Sequence, residues 1–330
     1  MKVRLRLVLA ALGLKGLWAA ACTSALIGAG ATRDGYPILW KHRDSGFEQN
    51  FVERVEPGRG TYGYVALFNG GDSLLREAWV GVNERSLAVM NTASYNLAPD
   101  TARVKDREGL IISRALQVCA SVEDFAALLD TLPRPLGVQA NFGVIDATGA
   151  GAYFETDDYG YRRYELRADS MLVRTNFSCS GTCGAGLGRV RYESACALLE
   201  PRLGDLRPQT LTDTISRSFY RPDLGADARE AGLRRVEDTD FIPRRSTSAS
   251  VAIELRPEGP VMWTVLGYPP LSTARPVRLD SVPEEMRPTL PGARSPLSDR
   301  NVRLRRKIIA RGADGRFYVD FDKLDKSDSR

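Results

Sequence analysis

From Cys22 onward, turn-forming pairs cut the chain into short apolar stretches, which limits it to a fold built largely from hairpins. Cys22 leads one strand, Asp34-Gly35 turns the chain, and a second strand runs through Ile38, Leu39 and Trp40 to Asp44. Tyr62 to Phe68, Ala78 to Val82 and Leu87 to Thr92 follow, separated by Asn69-Gly70-Gly71 and Asn83-Glu84, with Leu87, Val89 and Asn91 on one face. A helical block is expected from about Glu108 to Leu132. Ser121 and Asp124 are spaced as a capping box that restarts it, and Pro133 and Pro135 end it.

Strands return at Asn141 to Ile145, Ala152 to Thr156, Tyr161 to Leu166 and Ser170 to Asn176. Arg189 to Leu199 reads as a helix stopped by Pro201, and Thr210 with Asp213 as the cap of another reaching about Tyr220. A last strand pair, Ser250 to Leu255 and Val261 to Leu266, turns at Pro257, Glu258 and Gly259. This order predicts a layered α+β domain over residues 22–281, with helices outside two antiparallel sheets. Residues 282–330, rich in Pro, Arg and Asp, are expected to be a surface extension held by a few apolar contacts in preference to a membrane-binding helix.

Residues 1–21 differ from the rest. Lys2, Arg4 and Arg6 precede the apolar run Leu7 to Leu14, and the segment closes on Ala19-Ala20-Ala21, as a cleaved signal peptide does. Lys15 keeps the apolar run well short of the ~20 residues that span a bilayer, so no stable membrane insertion is expected after cleavage. Secretion or a periplasmic location follows as the expectation. Removing the segment lowers the formal net charge from +5 to +1 and takes away the main support for nucleic-acid binding.

Such cleavage makes Cys22 an N-terminal residue, with a thiol and a free α-amine on the same Cα. Their ordinary pKa values, ~8.5 and ~7.7 to 8.0, let the amine take the thiol's proton near neutral pH. The single histidine, His42, would have to serve any zinc site or Ser-His-Asp triad, so chemistry without metal, cofactor or imidazole is expected. Of the other four cysteines, Cys179 and Cys183 are close enough in sequence to bridge.

Lipidation is the competing fate of a cysteine behind small residues, which would make the chain a non-catalytic envelope lipoprotein acylated at Cys22. Lys15 near the cleavage point and Ala19 in place of a leucine-like residue depart from that pattern.

Cys22-Thr23-Ser24, Asp34-Gly35 and Trp40-Lys41-His42-Arg43-Asp44, with Val89-Met90-Asn91-Thr92 and Val173-Arg174-Thr175-Asn176 behind them, resemble the motifs of linear-amide hydrolases of the N-terminal nucleophile superfamily. That group includes bile salt hydrolases, penicillin V acylases and isopenicillin N acyltransferases. The resemblance spans Cys22 to about Leu266 and implies a four-layer αββα sandwich.

It also implies a secreted hydrolase that cleaves a small N-acyl amide through a thioester, with acyl transfer possible. Cys22 is then the nucleophile, Asp44 and Asn176 hold its α-amine, and Asn91 donates to the oxyanion. Lys41 stands where the bile salt hydrolases carry arginine, and a later arginine of the family falls on Arg244, Arg245 or neither, with Arg245 taken as the candidate. Related secreted dipeptidases share the Cys-Thr start and the Asp-Gly turn, so a dipeptide is the alternative substrate. Trp79, Tyr95 and Phe177 are candidates for an acyl pocket, and the glycine-rich stretch Gly181 to Gly188 for a mobile loop beside it.

Overall fold

The computed structural model describes residues 21–98, 101–291 and 293–328. The basic and apolar part of the leader lies outside them. Two antiparallel sheets dominate. The first takes its strands from both ends of the domain: β1 (Thr23–Ile27), β2 (Ile38–Asp44), β10 (Met171–Arg174), β14 (Thr247–Glu254), β15 (Val261–Leu266) and β16 (Arg275–Val277), in the order β10-β1-β2-β14-β15-β16. The second is a meander of seven sequential strands: β3 (Asn50–Val55), β4 (Tyr64–Asn69), β5 (Val80–Asn83), β6 (Ala88–Ala93), β7 (Ala140–Ile145), β8 (Gly151–Thr156) and β9 (Tyr161–Glu165).

Alternation along the strands builds the layers. Leu26, Leu39, Val65, Leu67, Met90 and Val251 meet between the sheets, completely buried. Tyr64, Ala66, Phe68, Val89, Phe142 and Phe154, one residue out of phase, face outward onto helices α1 (Glu108–Val118) and α2 (Val122–Thr131). On the far side Ala25, Ile27, Trp40 and Ala252 pack against α3 (Arg189–Leu199) and residues 210–217. Each sheet therefore buries both faces, and the stack is helix, sheet, sheet, helix.

Local signals explain several boundaries. Ser121 accepts from the amide of Asp124 while the Asp124 carboxylate accepts from the Ser121 amide, which restarts the helical block after a break at Cys119–Ala120. The stretch from Thr210 differs from expectation: a π-helical turn over Thr210–Thr214 leads into a 3₁₀ turn over Ile215–Arg217. Thr210 accepts from the amide of Arg207, outside that turn, and so does not cap a regular helix. Cys179 and Cys183, close enough in sequence to bridge, are exposed free thiols.

The chain after residue 282 is built into the domain. Two-residue strands β11 (Tyr220–Arg221) and β12 (Ala226–Asp227) precede β13 (Arg235–Glu237), which pairs with β18 (Phe317–Asp320); β17 (Ile309–Arg311) flanks β18. Around them Phe219, Phe241, Tyr268, Val319, Phe321 and Leu324 form a further buried cluster. Helix α4 (Pro296–Ile308) sends the Arg305 guanidinium to the carbonyl of Thr247 at 2.7 Å, and α5 (Phe321–Asp328) closes the chain. Among the described residues no helix is long and apolar enough to cross a membrane.

Candidate active site

Strand register brings distant residues of the sequence together at one sheet end. β1 pairs with β10 through Ser24 and Arg174, and with β2 through Thr23 and His42. Continuing the first ladder by two steps and the second by one sets Cys22 level with Asn176 on one side and Arg43 on the other. β2 also pairs Asp44 with Thr247 across β14. The side-chain period of two then turns Lys41 and Arg43, like Leu39, toward the second sheet.

Cys22 is 4% exposed, and its Sγ lies 3.7 Å from the backbone carbonyl of Asp44. It lines a cavity of about 700 Å³ together with Lys41, Arg43, Asp44, Trp79, Asn91 and Tyr95. Phe47, Ala93, Lys105 and Glu108 extend the wall. Trp79 and Tyr95 are thus where the sequence suggested, whereas Phe177 is buried against Tyr192 and Arg189 and is not part of the wall.

Lys41 donates from Nζ to the carbonyl of Trp79 at 2.7 Å and to Oδ1 of Asn91 at 2.8 Å. Burial pushes its pKa down to about 7, a fall opposed by negative charge on Cys22. Arg43 is brought down to about 10 by the same cause, and its guanidinium is occupied by Asn50, Asn69 and Ser248. Its Cζ lies 5.0 Å from the centre of the Trp79 ring, so the aromatic wall is backed by a fixed cation.

A second group of charges surrounds the Ala21–Cys22 peptide bond. Asp44 is fully buried; its carboxylate accepts from Arg244 Nε at 2.7 Å and from Thr247 Oγ1 at 2.7 Å. Arg244 Nη2 and Arg191 Nη1 both donate to the Ala21 carbonyl, at 2.8 and 3.0 Å. Arg191, only 1% exposed, also reaches the Cys22 carbonyl, Thr23 Oγ1 and Asn176 Oδ1. The Asn176 amide in turn donates to the carbonyl of Ala93 at 2.8 Å.

Burial lowers Arg191 to about 10, with the positive charge of Arg244 adding to the effect. Burial works most strongly against Arg244, but Asp44, together with Asp240 and Asp238, outweighs it and holds that guanidinium above its ordinary value. His42 points away from the cavity toward Thr247, with Nε2 and Oγ1 3.1 Å apart, and burial drops it to about 4.

The structure therefore gathers Cys22, Asp44, Asn91, Asn176 and Lys41, and does not bring Arg245 to them. Arg245 stacks on Phe317, with Cζ 3.9 Å from the ring centre, while the adjacent Arg244 reaches Asp44. The two open a turn that the Thr247 amide closes onto the Arg244 carbonyl at 2.8 Å, and they leave it on different sides. Arg191 had no signal in the sequence, since it is one of many arginines and sits in the first turn of α3.

The glycine-rich loop is anchored at its start. Glu155 accepts from the amides of Cys179 and Ser180 and pairs with Arg174 at 2.7 Å. The loop borders a different hollow, with Asn96 and Thr182, and contributes nothing to the wall beside Cys22. Among the described residues no cluster of His, Cys, Asp or Glu could hold a metal ion.

No family model matches the chain, and no curated protein matches it. Among solved structures, it is similar to a variant of conjugated bile acid hydrolase from Clostridium perfringens at 10% identity, covering 79% of this chain and 94% of that one, with a TM-score of 0.48. A Caenorhabditis elegans ortholog of N-acylethanolamine-hydrolyzing acid amidase gives 15% identity, 70% and 92% coverage and a TM-score of 0.49. Penicillin V acylase from Agrobacterium tumefaciens gives 13%, 79% and 87%, and 0.45.

Proposed function

We propose that the chain is an N-terminal nucleophile hydrolase that cleaves a linear amide with the thiol of Cys22, after residues 1–21 are removed. The observation that carries this reading is the position of Cys22: its thiol lines the cavity beside Asn91, while the Ala21 carbonyl bonded to its nitrogen accepts from Arg191 and Arg244, which in turn bond Asn176 and Asp44. A nucleophile facing substrate and a fixed hydrogen-bonded shell around the peptide bond whose cleavage frees its amine are the two parts such chemistry needs.

In this reading the freed α-amine takes the thiol proton, and the thiolate attacks the amide carbonyl. Lys41 donates to Oδ1 of Asn91, and that contact leaves the Asn91 N–H groups to meet the developing oxyanion. The protonated amine passes its proton to the departing amine, leaving a thioester at Cys22. Water, deprotonated by the same amine, releases the acid and restores the thiol. The aromatic wall of Trp79 and Tyr95 suits an N-acyl compound with an apolar acyl group. The enclosure of Cys22 also argues against a diacylglyceryl group on its sulfur.

The test pairs mass measurement of the mature N-terminus with activity of Cys22→Ser and Cys22→Ala forms. Substrates are N-acyl amino acids, penicillin V, conjugated bile salts and dipeptides. An unmodified N-terminal cysteine and amide hydrolysis lost in both variants, with unfolding curves unchanged, is the expected result. Full activity in the alanine form, or a lipid mass on Cys22, overturns the assignment.

A further inference from the structure

A second cavity, of about 660 Å³, shares no lining residue with the one at Cys22. Two helical stripes build it. Leu297, Arg300, Asn301, Leu304, Lys307 and Ile308 recur along α4 at helical spacing, and Lys323, Lys326 and Ser327 do so along α5. Arg217, Leu271 and Arg275 close the remaining sides. Six of the lining residues are Lys or Arg, and none of the described lining residues is acidic.

Six cations in one hollow of a chain whose overall charge is +5 are a local concentration that folding alone does not require. Glu285 answers Arg275 at 2.9 Å and Asp320 answers Lys323 at 3.4 Å, both in exposed positions where pairing is worth little. Arg300, Lys307 and Lys326 make no ion pair among the described residues. The floor below them is apolar, with Leu271 and Leu304 half-buried and Ile308 fully covered.

Cations over leucines select a ligand that is anionic at one end and apolar beyond it. No aromatic side chain lines the hollow, so the stacking platform that single-stranded nucleic acid uses is missing. We propose that this hollow binds the phosphate headgroup of an anionic phospholipid at a bilayer surface, with the glycerol and first acyl carbons over Leu271 and Leu304. The contact is peripheral and needs no inserted helix.

Sedimentation of the full mature chain with vesicles tests this, using phosphatidylcholine alone and phosphatidylcholine mixed with phosphatidylglycerol. The combined variant Arg300→Glu, Lys307→Glu, Lys326→Glu is compared with Arg59→Glu, Arg76→Glu, Arg103→Glu, an equal charge change at exposed positions away from the hollow. Each basic side chain near an anionic surface contributes enough that losing three lowers the partition coefficient about a hundredfold. The expected result is selective binding to the phosphatidylglycerol vesicles, lost in the first variant and much less affected in the second, with equal melting temperatures. Equal losses in both variants, no preference between vesicles, or stabilisation by inorganic phosphate or glycerol 1-phosphate without vesicle binding would each overturn the proposal.

Discussion

Lys41 donates to Oδ1 of Asn91 at 2.8 Å, and the direction of that bond fixes which end of the carboxamide faces the cavity. A planar amide whose oxygen is held must present its N–H groups to the cavity. Lys41→Met removes the hold while leaving Asn91 in place. Losing one oxyanion donor outright costs about 10²–10³ in kcat, so misorienting one is expected to cost about tenfold to a hundredfold, with KM little changed. Lys41→Arg keeps a donor and is expected to retain most of the activity. Steady-state kinetics on the amide identified by the substrate panel give the answer, and an unaltered kcat in the methionine form removes Lys41 from the mechanism.

The same lysine carries a pH signature in stability. Burial lowers its pKa from 10.5 to about 7 in the folded chain. Between those values the unfolded chain holds a proton that the folded chain has released, so stability rises with pH across that window, by up to about 1.4 kcal/mol per unit. Below about pH 7 the full cost of burying the ammonium is present. The stability difference between Lys41→Met and wild type therefore shifts toward the variant at pH 6 and toward wild type at pH 9.5. Urea midpoints at both pH values measure it; parallel pH curves would mean that Lys41 titrates as an ordinary lysine.

Arg244 and Arg245 offer a test of position against composition. Arg244→Met strips a fully buried carboxylate, Asp44, of its 2.7 Å ion pair and leaves it with Thr247 alone. Breaking one side of a buried pair costs about 3–5 kcal/mol. Arg245→Met loses a cation–π contact with Phe317, worth about 0.5–1 kcal/mol at a partly exposed site. Denaturant unfolding should separate the two by at least about 2 kcal/mol, and equal losses would show that Asp44 does not depend on Arg244.

Most of the architecture could be read from local signals. Alternation, Asp-Gly and Asn-Gly-Gly turns and the Ser121 capping box place nearly every strand of the meander and the helices α1, α2 and α3 within a few residues. Those signals act between near neighbours, and their limits lie in the same place. The π turn at Thr210–Thr214 arises from packing against the first sheet, which outweighs a local capping preference. β18 exists because Val236 offers it a partner more than eighty residues earlier in the chain. At the site, Cys22, Asp44 and Asn91 stand out by their motif, but Arg191 acquires its role only when the Cys22–Asn176 register brings α3 behind the peptide bond. Convergence of that kind is a property of tertiary geometry and has no signature in spacing.

Gly188 is where that convergence can be probed without touching the residues that would carry the chemistry. It precedes α3 with φ +83°, in the left-handed region, and a Cβ there would lie 2.2 Å from Nη2 of Arg191. Gly184, in the same loop at φ +75°, has open space around its Cβ position. Both alanine variants incur the left-handed penalty of about 1–2 kcal/mol. Only Gly188→Ala must also displace a buried guanidinium that bonds Cys22, Thr23 and Asn176, which adds about 1.5–3 kcal/mol for charged hydrogen bonds lost. Gly188→Ala is thus expected to melt well below Gly184→Ala and to lose amidase activity at temperatures where both remain folded. Equal melting temperatures and equal activities would show that Arg191 can leave its place behind Cys22 without consequence.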